Sequence, residues 1–400
     1  TYPNGVTGAD TTPKIWCLSL GRYDAVLGFN GLVLHGWYVA VVKWLLEWTK
    51  VAAAAERPVG ILFWRVADGM SMWLGRTLLR PSTKPSDADI ENGHAHDDPQ
   101  YSFPHPLLDF LKDPKYGGLG LLVMRVVTAL LIVHHGLDKL EHSTAFAEGV
   151  IAPYFPFLLG PPLFWTYLSA AFEVVGSFCI AVGLLARPAA ALLAGTMANA
   201  MLFHLQKFGL QSFPLNPAKG GAYTFEPSLA FLGITIFLAL AGPGRFSVRP
   251  DYAMLDFLKD PKYGGLGLLV MRVVTALLIV HHGLDKLEHS TAFAEGVIAP
   301  YFPFLLGPPL FWTYLSAAFE VVGSFCIAVG LLARPAAALL AGTMANAMLF
   351  HLQKFGLQSF PLNPAKGGAY TFEPSLAFLG ITIFLALAGP GRFAVRPNGF

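Results

Sequence analysis

Charge and cysteine are both scarce in this chain. Of its 400 residues only 13% are charged, against about 25% in an ordinary soluble domain, while 54% are hydrophobic. The formal net charge is +2, and no basic stripe with interleaved aromatics occurs, so nucleic acid is not an expected partner. Three cysteines are present, Cys17, Cys179 and Cys326, and no C-x-x-C. A relay between two thiols needs two sulfurs that can meet, so the lone cysteines read as small core residues. Alternating strand patterns are also missing, which argues against a barrel. Thr1 stands where an initiator Met would, so a targeting segment is expected to have preceded it.

What the chain has in quantity is apolar runs, and it has most of them twice. Residues 108–250 return as residues 255–397, with one difference, Ser247 against Ala394. Each copy carries four apolar stretches, in the first Leu119–Leu140, Leu163–Leu185, Ala189–Phe208 and the shorter Phe225–Ala241. Pro153, Pro156, Pro161-Pro162, Arg187-Pro188, Pro214, Pro217 and Gly220-Gly221 separate them as helix stops. In hydrocarbon every backbone group must bond within its own segment, so long apolar runs mean helices. An even number of spans brings each copy back to the side it started on, and both copies then run in the same orientation. Lys112, Lys115, Arg187, Arg245 and Arg249 lie on the side of the module termini, and Lys139, Lys207 and Lys219 on the other. This places the termini on the cytoplasm-equivalent side.

Six of the eight tryptophans fall before residue 80. In that part Ala25–Val42 runs 18 residues without a charge and reads as one span, with Trp37, Trp44 and Trp48 at its end. Residues 58–79, interrupted by Arg65, Asp68 and Arg76, read as a helix lying in the interface. Residues 80–106 read as a polar linker, whose His94, His96 and His105 show no metal-site spacing. The expected architecture is an all-α membrane protein. Segment 1–106 carries about one extra span, followed by two tandem four-helix transmembrane bundles, 107–253 and 254–400, in the same orientation.

Ionisable groups at bilayer depth need a reason. Arg125 lies about two turns into the first helix, and Glu173 midway along the second. Glu173 serves either a proton or quinone site or a hydrogen bond between helices. Neighbours on a helix point about 100° apart, so one of His134 and His135 faces the bundle and the other its surroundings. His134 and Asp138, at i and i+4, suit a local hydrogen bond. His204 lies late in the third helix, beside a small-polar face of Gly195 and Asn199 that allows close helix contact, as Gly176 and Gly183 do on the second helix. The candidate cofactor-binding residues are His134, His135, Glu173 and His204 with their copies His281, His282, Glu320 and His351. Arg125 and Arg272 are the intramembrane cations. No spacing is diagnostic for a metal, and no catalytic constellation stands out.

Arg125, then His135-Gly136-Leu137-Asp138-Lys139-Leu140, Glu173-Val174-Val175-Gly176 and Gly183-Leu184-Leu185-Ala186-Arg187 together resemble the DoxX family of small four-helix membrane proteins. The shared pattern is an early Arg, H-G-x-x-K-L, E-x-x-G and G-L-x-x-R. The resemblance implies polar roles for Arg125, Lys139, Glu173 and Arg187, and for Arg272, Lys286, Glu320 and Arg334. It also implies a link to quinone-coupled sulfur oxidation or thiol-stress complexes. The fused tandem, the Trp-rich segment and the lack of paired cysteines depart from that family. Near-identical tandem modules are similar to the polyproteins of dinoflagellate algae, many of them plastid-targeted.

Two functions follow as expectations. The first is an accessory subunit of a large energy-converting complex such as a photosystem, holding chlorophyll, carotenoid or lipid and contacting other membrane subunits. Its setting would be the plastid thylakoid, with the mitochondrial inner or plasma membrane as alternatives. The second is a DoxX-type subunit of a quinone-coupled oxidoreductase, with Glu173 and Arg125 near the quinone oxygens. A small-solute transporter built as a parallel repeat is a weaker third, because no Gly or Pro breaks the first three helices.

Overall fold

The computed structural model describes residues 114–215, 222–248, 260–362 and 369–395, together with the backbone of 15–19, 25–29 and 32–36. Residues 1–106 and 107–400 form separate compact units.

In the N-terminal unit the described residues are an antiparallel meander of three strands, β1 Ile15–Ser19, β2 Ala25–Phe29 and β3 Leu32–Gly36. This corrects the expectation of one helical span over Ala25–Val42. Phe29 pairs with Leu32, so the sequence between the paired strand ends is Asn30-Gly31. Asn-Gly between two apolar runs is the strongest short-range hairpin signal. Counting apolar length alone overlooked it. The rest of that run, the interfacial helix expected at 58–79, and His94, His96 and His105 lie outside the described residues.

The second unit is helical. The first module holds α1 Pro114–Glu141, α2 Pro162–Val182, α3 Ala186–Phe208 and α4 Glu226–Ala241. The second repeats them as α5 Pro261–Glu288, α6 Pro309–Val329, α7 Ala333–Phe355 and α8 Glu373–Ala388. A short helical run, residues 143–154, follows α1, and its copy follows α5. Six of the eight are long and apolar enough to cross a bilayer, whereas α4 and α8 have 16 residues. At 1.5 Å per residue these two reach about 24 Å, less than the roughly 30 Å hydrocarbon core. The chain is a multi-pass membrane protein, with Val175 and Phe178 among the apolar side chains left exposed toward lipid.

Helix ends fall where backbone chemistry dictates. Proline opens α2 at a position whose N–H would have no helical partner. Gly183 closes α2 in the left-handed region at φ 74°, and the amides of Gly183 and Leu184 both donate to the Cys179 carbonyl. The helix therefore stops at Val182 rather than at the expected Leu185. A Cβ on Gly183 would stand 2.4 Å from the Ser247 Cβ, so the turn admits only glycine. Ser247 itself donates an exposed hydrogen bond to the Gly244 carbonyl, 2.9 Å away. The Ser247→Ala change, which makes the copies identical, should move the unfolding free energy by less than about 0.5 kcal/mol. A larger shift in the thermal midpoint would show another role for that hydroxyl.

The modules are laced together. Within each module α1 packs on α2, α2 on α3 and α3 on α4, and likewise in the copy, but the first helix is covered by the other module's fourth: α8 packs along α1, and α4 along α5. Glycine makes this approach possible. A Cβ on Gly120 of α1 would lie 3.1 Å from the Cα of Phe384 on α8, and one on Gly267 of α5 would lie 3.0 Å from the Cα of Phe237 on α4. Between them α4 and α8 touch, with the Phe237 and Phe384 rings 5.2 Å apart. The pattern is reciprocal, as in an isologous dimer whose two subunits have been joined.

Candidate functional site

The lacing decides which groups meet. Glu226 and Glu373 open the two short helices and are fully buried. Each faces the histidine pair of the opposite module. Glu373 Oε1 stands 2.7 Å from His135 Nε2, and Oε2 stands 3.5 Å from His134 Nε2. Glu226 meets His282 at 2.7 Å and His281 at 3.5 Å. The Tyr370 amide donates to Glu373 Oε2 at 3.3 Å, and the Tyr370 ring lies edge-on to His134 at 4.4 Å. Gln211 holds the approach to α4 by accepting from the Thr224 amide at 2.8 Å. Burial and then the neighbouring Glu226 push the Tyr223 hydroxyl up to about 12, so it stays protonated.

These contacts correct two expectations. His134 is buried and His135 part-exposed, but they do not point apart; their rings tilt together, 4.0 Å apart, toward one carboxylate. Nor does Asp138 serve His134. It pairs with His142, one turn further on, at 3.1 Å.

One turn along α1 from His135, Lys139 Nζ contacts Glu173 Oε2 at 2.5 Å. Glu173 is buried, and this donor is its reason for lying at that depth. Lys286 and Glu320 repeat the pair at 2.5 Å. Beside these groups is a cavity of about 530 Å³, and in the second module one of about 480 Å³. His135, Lys139, Glu173, Thr196, Asn199 and His204 supply the polar part of the first wall, and Phe146, Trp165, Phe172, Phe203 and Phe231 much of the apolar part. His282, Lys286, Glu320 and His351 stand likewise in the second. His204 stacks on Phe208, with centroids 5.9 Å apart. Gly195 has nothing within 4 Å of a Cβ position, so the Gly195–Asn199 face borders the cavity instead of packing a helix. Gly176 does pack, against Leu193.

Arg125 stands apart from the cavity wall. Its guanidinium donates to the carbonyls of Ile180 at 2.8 Å, Ala181 at 2.7 Å, Phe246 at 2.9 Å and Pro243. Those are the end of α2 and the turn after α4, where carbonyls have lost their helical partners. Arg272 repeats this with Ile327, Ala328, Phe393 and Pro390. Arg187 covers the Ala239, Leu240 and Ala241 carbonyls that end α4. An arrangement with Arg125 and Glu173 on one quinone is therefore not what the structure has.

The DoxX family profile matches residues 120–205 and 267–352, once in each module. An uncharacterised protein of Haemophilus influenzae is 32% identical over 141 residues, covering 35% of this chain and 95% of that protein. The chain belongs to the DoxX family. A Bacillus subtilis protein provisionally named oxidoreductase CatD is 33% identical over 135 residues, 34% of this chain and 88% of its own length. No solved structure matches significantly. The profile covers α1 to α3 of each DoxX module and stops before Glu226 and Glu373. Those two carboxylates carry no signal in the sequence, because a Glu ahead of Pro227 resembles an ordinary helix start, where the macrodipole favours an acid.

Proposed function

We propose that each DoxX module binds the head of a membrane-soluble quinone, and that the protein is the quinone-docking subunit of a membrane oxidoreductase. One observation carries this: a cavity of quinone size inside an apolar bundle, with the Lys139–Glu173 pair and His135 side by side in its polar wall and Glu373 holding His135 from behind. Lys139 and His135 are donors for two carbonyl oxygens, while Phe146, Trp165 and Phe172 offer flat apolar surface to the ring. Reduction takes two electrons and two protons per quinone. The electrons come from a redox group on a partner subunit, and the carboxylates relay the protons. The name of the Bacillus subtilis relative points the same way. The alternative role, a pigment-holding photosystem subunit in a thylakoid, keeps only the likeness of the tandem to algal polyproteins.

The test uses the full chain in nanodiscs with a short-chain ubiquinone, followed by titration calorimetry. Glu173→Gln with Glu320→Gln should weaken binding at least about tenfold, or about 1.4 kcal/mol. Unchanged affinity in a monodisperse double variant rejects the quinone site.

A further inference from the structure

We propose that the chain holds two divalent transition-metal ions, each bound by two histidines of one module and the glutamate of the other: His134, His135 and Glu373, and His281, His282 and Glu226. This does not rest on the quinone reading.

In each group one nitrogen or oxygen per residue lies within 4.8 Å of the others. Ligands about 2.1 Å from a shared ion, at tetrahedral or octahedral angles, stand about 3 to 3.5 Å from one another. The carboxylate-to-imidazole distances of 2.7 and 3.5 Å bracket that spacing. Two imidazoles and one carboxylate with positions left over form the donor set of iron(II) and zinc sites.

A plain ion pair explains only half of this cluster. His135 and Glu373 suffice for it, and they already touch. His134 is the surplus. It is wholly buried, and neither of its ring nitrogens makes a hydrogen bond, yet Nε2 is directed at the same carboxylate. A buried imidazole with no hydrogen bond at either nitrogen is costly, and an apolar side chain would fill the space at less cost. A shared ion accounts for it, because Nε2 then has a ligand bond. His281 repeats the situation in the second group. The Tyr370 amide fixes the carboxylate from behind, the kind of outer contact that orients a ligand.

The experiment strips the purified full chain with chelator, offers Mn(II), Fe(II), Co(II) and Zn(II) in turn, desalts it, and counts metal per chain by mass spectrometry. Two equivalents of at least one ion are expected. Glu373→Gln and Glu226→Gln, which conserve volume, should each leave one equivalent, and together none. The lacing gives a sharper pattern. His135→Asn combined with Glu373→Gln strikes one site and should leave one equivalent, whereas His135→Asn combined with Glu226→Gln strikes both and leaves none. Glu173→Gln should keep both ions, which separates this inference from the quinone reading. Retention of no ion by a monodisperse wild-type chain overturns the proposal. So do two equivalents in Glu373→Gln, or the inverse pattern in the paired variants.

Discussion

Replacing Arg125 and Arg272 with methionine should prevent the chain from accumulating as a folded protein. Each single change should lower stability by about 3 kcal/mol or more. Arg125 is buried, and its donors reach four carbonyls from two separate turns. Methionine fills much of the volume but leaves those oxygens without donors, at about 1–3 kcal/mol for each that water cannot reach. Arg125→Lys should fall between, because an ammonium on a flexible stem cannot span both turns as a planar fork does. The thermal midpoint of detergent-purified protein reports the order wild type, Lys, Met. If Arg125→Met melted like wild type and lost only ligand binding, the arginine would belong to the site and not to the scaffold.

Residues 107–253 produced alone should be a dimer. A lone module exposes the glycine face of α1 that α8 covers in the whole chain, and strands Glu226 away from any histidine pair. Its fourth helix has the sequence of α8, so a second copy reproduces each contact, Phe237 taking the place of Phe384 against Gly120. Native mass spectrometry in detergent should give twice the module mass. Gly120→Leu, which pushes a side chain at a neighbouring backbone, should shift the population to monomer. A monomeric wild-type module with its histidines protected would mean that the fourth helix folds back on its own first helix.

Much of the fold was legible because lipid imposes few solutions. Apolar length, proline stops and the repeat located the helices to within a few residues, and Gly183 alone explains the early end of α2. The lacing was not legible, for a physical reason. With copies that differ only at residue 247, a fourth helix fits its own module's first helix and the other's equally well in pattern. Nothing in the spacing separates the two pairings. The carboxylates that face the histidines were hidden for the same reason, since their partners lie more than fifty residues away along the chain. Arg125 was visible as a buried charge, but sequence alone does not tell a ligand-binding guanidinium from one that closes helix ends. The N-terminal hairpin, in contrast, was readable at Asn30-Gly31.

The joined halves have one more consequence. The contacts of α4 and α8 hold the two modules independently of the peptide link at residues 249–259, which lies outside the described residues. A protease nick there should leave two fragments that migrate together. What fusion supplies is effective concentration, on the order of millimolar for a short tether, and a fixed one-to-one pairing however scarce the protein becomes.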